Sequence, residues 1–209
     1  MGHVVLLGDS IFDNRAYVAP GPDVIRQLRG TLGQGWQATL LAVDGDVAED
    51  VPRTQLRGLP GDATHLVVSA GGNDALGNMG LLSQRASSVA EALARLSDAQ
   101  AEFRRSYDGM VRAVVAKGLP TALCTIYDAN YPAPQKQVVV AGLALFNDVI
   151  TRAAFAHGLS LIDLRLICNQ SADYANPIEP SVRGGEKIAA AIAQFALAGA
   201  NHGRSAVWA

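Results

Sequence analysis

Short apolar runs alternate along this chain with longer stretches of helical period. The runs cover residues 3–7, 37–43, 65–70, 121–126 and 160–164, each apolar at both odd and even positions. Such runs predict strands buried on both faces, as in a parallel sheet with helices above and below. Candidate helices fall between them at 23–31, 48–57, 81–117, 134–157 and 181–198. The 81–117 segment is expected to be interrupted. It carries Val89, Leu93 and Leu96, then Phe103, Tyr107, Met110, Val111 and Val114, a spacing that predicts a helical face on the sheet. Gly118-Leu119-Pro120 ends it and leads into the next strand.

Five strands joined by right-handed crossovers predict a flavodoxin-like, three-layer α/β/α sandwich with strand order 2-1-3-4-5. Ligands of such sheets bind beyond the carboxyl ends of the strands. The polar and glycine-rich segments fall there. Gly8-Asp9-Ser10 follows the first strand, Asp44-Gly45-Asp46 the second and Gly71-Gly72-Asn73-Asp74 the third. Asp128 follows the fourth, and the loop 166–180 follows the fifth. Residues 1–199 read as one domain. Residues 200–209 lack periodicity and read as a mobile tail, where Val207 and Trp208 are placed to dock on a neighbour.

Bulk properties narrow the classes. A chain of 209 residues buries roughly 70% of its unfolded surface as one domain. Its 49% apolar and 17% charged residues argue against disorder. A formal net charge of −2 without a basic run speaks against nucleic acid and anionic membranes as partners. The apolar run Val4-Val5-Leu6-Leu7 is too short for a signal-peptide core or a membrane span, so a cytoplasmic protein is expected. Cys124 and Cys168 have neither metal-ligand spacing nor a disulfide framework, and Cys124 reads as a core thiol. Gly30-Thr31-Leu32-Gly33-Gln34-Gly35 precedes a strand instead of following one, so it is not a phosphate loop. A binuclear metallophosphatase needs several histidines in its Gly-Asp and Gly-Asn segments, and His3, His65, His157 and His202 lie elsewhere.

Three blocks carry the chemistry: Gly8-Asp9-Ser10, Gly72-Asn73-Asp74, and the stretch from Asn176-Pro177-Ile178-Glu179-Pro180 to Gly184-Gly185 before the last helix. In type and order they resemble the SGNH (GDSL-type) hydrolases across nearly the whole chain. The resemblance implies that Ser10 is the nucleophile. It implies that the backbone amides of Ser10 and Gly45, with the Asn73 side chain, hold the oxyanion that acyl transfer develops. Each residue also has a plain structural reading: Ser10 as a helix cap, Gly45 as a turn glycine, Asn73 bonding its own turn. Asp74 reads as holding its loop. Asp13, Asn14, Asp128, Asn130 and Tyr131 are candidates for the cleft mouth or for turns.

The last block departs from the family, which normally reads Asp-x-x-His-Pro there. Asn176 and Glu179 occupy the aspartate and histidine positions. Shifting the register to use Asp173 as the aspartate puts Asn176, not a histidine, opposite Ser10. His202 in the tail is the flexible candidate for a replacement. A carboxylate is the weaker base by about 2 units, or about 3 kcal/mol, but burial can raise a glutamate by several units. Glu179 is therefore expected to serve as base, with Asn176 orienting it through a hydrogen bond. Otherwise Glu179 caps the last helix or pairs with Arg183. Two functions follow. The first is a serine hydrolase for a small-molecule ester, a small O-acyl or short-chain carboxylic ester, needing no metal or other cofactor. The second is a catalytically silent domain that binds an acylated or sugar ligand in the same cleft.

Overall fold

The computed structural model describes residues 1–198 and 207–208. Its sheet is parallel throughout. The strands are β1 (Gly2–Gly8), β2 (Trp36–Leu40), β3 (His65–Ser69), β4 (Thr121–Cys124), β5 (Ser160–Ile162) and β6 (Val207–Trp208), in the order β2-β1-β3-β4-β5-β6. The five expected strands and their order are present, and helices cover both faces in a three-layer α/β/α arrangement. The sixth strand is two residues long and pairs with β5, Leu161 opposite Val207 and Ile162 opposite Trp208. It lies within the segment expected to be a mobile tail, and the rest of that segment falls outside the described residues.

The period of two along each strand divides the core. Val4 and Leu6 of β1 and Val67 of β3 face α2 (Val24–Leu32) and α8 (Val182–Leu197), where Leu28, Ile188 and Ile192 are fully buried. Val5, Leu7, Leu66 and Val68 face the other way, toward α5 (Val89–Val115) and α6 (Gln135–Ala156). Capping fixes where these helices begin. Asp23 accepts from the Arg26 amide, Ser88 from Glu91 and Ser181 from Gly184. Four short helices complete the set: α1 (Arg15–Val18), α3 (Asp50–Arg53), α4 (Gly72–Gly77) and α7 (Leu164–Ile167). By length and composition α6 is apolar enough to cross a membrane, yet its Val149, Ile150, Ala153 and Ala154 pack in the core.

Three expectations change in detail. β2 is an edge strand with a single neighbour, so it is only half-buried. The helix expected at 48–57 is split at Thr54 into α3 and a 3₁₀ turn, Gln55–Gly58, which lets Gln55 turn its amide inward. The 81–117 segment is interrupted, as expected, between a 3₁₀ turn (Met79–Ser83) and α5. Only its later residues, Phe103 to Val114, pack on the sheet. Val89 and Leu93 are exposed.

The end of β1 is set by Gly8, whose φ of +124° lies in a region that L side chains rarely adopt. A Cβ there would come within 1.7 Å of the Ser69 carbonyl oxygen. The turn also lets the Asp9 amide bond that same carbonyl at 3.0 Å. Gly8→Ala is expected to lower stability by at least about 2 kcal/mol in urea denaturation. A loss below about 0.5 kcal/mol would show that the strand end relaxes without cost.

Candidate active site

Beyond the carboxyl ends of β1, β3 and β4 lies an open cleft, lined mostly by apolar side chains. Asp9, Ser10, Asn73 and Glu179 are among the few polar residues along it. Ser10 stands one residue past the sharp turn at Gly8 and Asp9. Behind it the chain closes on itself, with the amides of Phe12 and Asp13 both bonded to the Asp9 carbonyl at 3.1 Å. The Ser10 hydroxyl donates to Glu179 Oε1 at 3.0 Å, and both side chains are buried.

Glu179 reaches Ser10 from a loop held on several sides. Asn176 Oδ1 accepts from the amides of Ile178 and Glu179, each at 2.9 Å. Tyr174 and Pro180 form an antiparallel bridge, and the Ser181 amide bonds the Asp173 carbonyl at 2.8 Å. Tyr127 donates its hydroxyl to the Ile178 carbonyl at 2.7 Å, and Asn14 Nδ2 donates to Pro180 at 3.3 Å. Asp173, fully buried, is engaged by Lys187 Nζ at 2.7 Å and the Gln170 amide at 2.9 Å. The expected hydrogen bond from Asn176 to the Glu179 carboxylate is not the one found. Both of Asn176's contacts from this loop are to backbone amides, so it shapes the turn and leaves the carboxylate free. Nor does Glu179 cap α8 or pair with Arg183. Ser181 caps that helix, and Arg183 turns to Asp173 at 3.5 Å and to Gln170 at 2.6 Å.

One carboxylate oxygen, Glu179 Oε2, is buried and has no hydrogen-bond partner among the described residues. Removal from water disfavours the charged form and is the main cause that pushes the Glu179 carboxyl up to about 7. The hydrogen bond from Ser10 pulls it down, and the nearby Asp44 charge pushes it up. Burial raises Asp9 further, to about 8, although the Ile11 amide bonds its Oδ1 at 3.2 Å. Glu179 and Asp74 add smaller like-charge contributions to Asp9. Near neutral pH the site therefore holds one readily ionised carboxyl, at Glu179, beside a largely protonated one.

The candidate oxyanion donors are partly brought together. Asn73 lies in the first turn of α4 and lines the cleft. Its Nδ2 gives one hydrogen to the Asp46 carbonyl at 2.9 Å, and the second is available. Among the described residues, no protein acceptor takes the amides of Ser10 or Gly45. Gly45 adopts φ +92° on an exposed turn and does not line the cleft; it precedes Asp46, whose carbonyl holds Asn73. Asp74 Oδ2 accepts the Ala48 amide at 3.1 Å and ties down that loop.

Gln55 carries out a task that the sequence pattern did not reveal. Its buried side chain accepts from the Gly8 amide and donates to the Gly8 carbonyl, each at 2.8 Å, and also donates to Asp46 at 2.7 Å. It thereby locks the serine turn to the loop bearing Gly45. Of the other mouth candidates, Tyr131 lines the cleft, while Asp13 bonds the Asp44 amide at 3.0 Å. The Asp128 carbonyl accepts from the Tyr174 hydroxyl, and the Asn130 amide bonds the Pro177 carbonyl. His3 is spent on Asp62 and Thr39, and neither it, His65 nor His157 lines the cleft. His202 lies outside the described residues.

Comparison with known proteins identifies the family profile that the chain matches and solved structures of similar fold. Residues 6–186 match the profile of the GDSL-like Lipase/Acylhydrolase family. Solved structures of similar fold include an extracellular lipase from Streptomyces rimosus, 16% identical, with a TM-score of 0.65 over 90% of this chain and 96% of that one. A phospholipase A1 from Streptomyces albidoflavus is 18% identical, with a TM-score of 0.64 over 95% and 99%. An acetyl xylan esterase is 16% identical, with a TM-score of 0.67 over 93% and 98%. No curated protein matches the chain in sequence.

The raised Glu179 pKa makes a stability prediction. The unfolded chain releases this proton near the usual 4.5 and the folded chain near 7. The stability associated with the neutral carboxyl is thus fully present below about pH 4.5 and lost as pH rises to about 7. Relative to Glu179→Gln, which cannot ionise, the parent protein should lose on the order of 3 kcal/mol between pH 4.5 and pH 8 in urea titrations. A difference that does not vary with pH would mean an ordinary carboxyl at this position.

Proposed function

The chain belongs to the GDSL-like Lipase/Acylhydrolase family, and on that premise we propose that it hydrolyses carboxylic esters with Ser10 as nucleophile and Glu179 as base. The observation that carries this reading is the 3.0 Å bond from the Ser10 hydroxyl to Glu179 Oε1 inside a mostly apolar cleft. A base works best when its pKa lies near the working pH, and burial brings Glu179 to about 7. The carboxylate thus recovers by desolvation the basicity that it lacks relative to an imidazole, about 2 units. The lipase and esterase fold relatives support ester chemistry at this cleft.

In the acylation step Ser10 Oγ bonds to the ester carbonyl carbon as its proton passes to Glu179 Oε1. The carbonyl electron pair moves onto oxygen, where the Ser10 amide and the free Asn73 Nδ2 hydrogen receive it. Collapse breaks the bond to the alkoxide, which takes the proton from Glu179 and leaves as the alcohol. Water then attacks the acyl-serine, again losing its proton to Glu179, and the acid departs as Ser10 regains a hydrogen. Asn176 acts indirectly: by holding the amides of Ile178 and Glu179 it fixes the direction in which the carboxylate points.

A fluorophosphonate probe and an activated ester test this. Labelling is expected at Ser10 and should vanish in Ser10→Ala. Replacing Glu179 by Gln should lower kcat by about 10²- to 10⁴-fold, the range of a general base. kcat/KM should climb with pH through an apparent pKa of about 7, because the ionised Glu179 is the active form. A folded protein that takes no label at any pH up to 9 would be a ligand-binding domain on the same scaffold.

A further inference from the structure

The apolar lining of the cleft extends onto helices that the catalytic step does not use. On α6 the lining residues are Val139, Gly142, Leu143 and Phe146, spaced i, i+3, i+4 and i+7 along one stripe. Facing them are Leu96 and Ala99 of α5 and the 3₁₀ turn with Met79 and Leu82. At about 1.5 Å per residue, the seven steps from Val139 to Phe146 rise about 10 Å, the length of an extended chain of about eight carbons.

Gly142 stands in the middle of that stripe. Glycine is the poorest helix former after proline, and nothing local calls for it here. Its φ is not positive, and a Cβ built on it would meet no heavy atom within 4 Å. The other residues of the stripe are large and apolar. The side chain that Gly142 lacks therefore leaves open space at a partly exposed point of the cleft lining. A sugar or peptide placed there would leave hydroxyls or amides without partners, whereas a hydrocarbon chain leaves none.

We propose that Gly142 is a specificity-determining gap, through which the cleft accepts an unbranched acyl chain of about six to ten carbons whose carbonyl lies at Ser10. The inference rests on the hydrolase reading above and replaces the short-chain acyl group expected from sequence. Each methylene buried should favour binding about fourfold, so chain length is the variable to measure.

The test compares kcat/KM for 4-nitrophenyl octanoate and acetate in the parent protein, Gly142→Ala and Gly142→Leu, with thermal unfolding to confirm folding. The parent should favour octanoate at least tenfold, and Gly142→Leu should cut the octanoate-to-acetate ratio at least tenfold, with Gly142→Ala between. If esters are cleaved without chain-length preference, or the ratio is unchanged in Gly142→Leu, the gap is overturned and the hydrolase reading stands. If no ester is cleaved, calorimetric titration with octanoate separates the two ideas. Binding that Gly142→Leu abolishes supports the gap while the hydrolase reading fails, and no binding to the folded parent overturns the gap as well.

Discussion

One hydrogen bond joins residues 169 positions apart, Ser10 at the end of the first strand and Glu179 in the last loop. Contacts from several distant elements hold one end of it or the other. At the serine end, Gly8 turns the chain out of β1 and Gln55 bonds both backbone groups of Gly8. At the glutamate end, the Asn176 turn, the Tyr174–Pro180 bridge and the Tyr127 hydroxyl hold the loop. The carboxylate itself is held by little except the serine. That division leaves the reactive atom weakly solvated while its backbone is fixed, the combination that raises a carboxyl pKa without loosening its position.

The architecture was legible because fully buried parallel strands leave unbroken apolar runs, and β1, β3, β4 and β5 each have them. β2 reads less well, since an edge strand meets water on one side. β6 has two residues, too few for any pattern. The catalytic candidates were legible for another reason: Ser10 and Asn73 follow strand ends and Glu179 lies in the block before the last helix, in a recurrent order. What stayed hidden acts at a distance. Gln55 bonds a residue 47 positions away, and Asn14 bonds one 166 positions away. Neither contact leaves a mark on the neighbouring sequence.

Asn176 and Leu96 show how a local reading can find the right residue and miss its task. Asn176 was expected to address a carboxylate, but an asparagine two and three residues ahead of free amides bonds those first. Leu96 shares a helical period with Phe103, yet α5 extends beyond the sheet at that end, and Leu96 faces the cleft. Periodicity reports which side of a helix is apolar. It does not report whether that side meets a sheet, another helix or a substrate.

In the proposed reaction, the buried carboxylate of Glu179 would also change how charge behaves. With an imidazole base, a neutral pair becomes a cation and an anion as the tetrahedral intermediate forms. With Glu179 no new charge is created. A single negative charge leaves the carboxylate, resides on the substrate oxygen and returns, while the largely protonated Asp9 adds none. Displacing one charge over a few ångströms asks less of a low-dielectric cleft than separating two, so dryness, which would hinder the formation of an ion pair, suits this base.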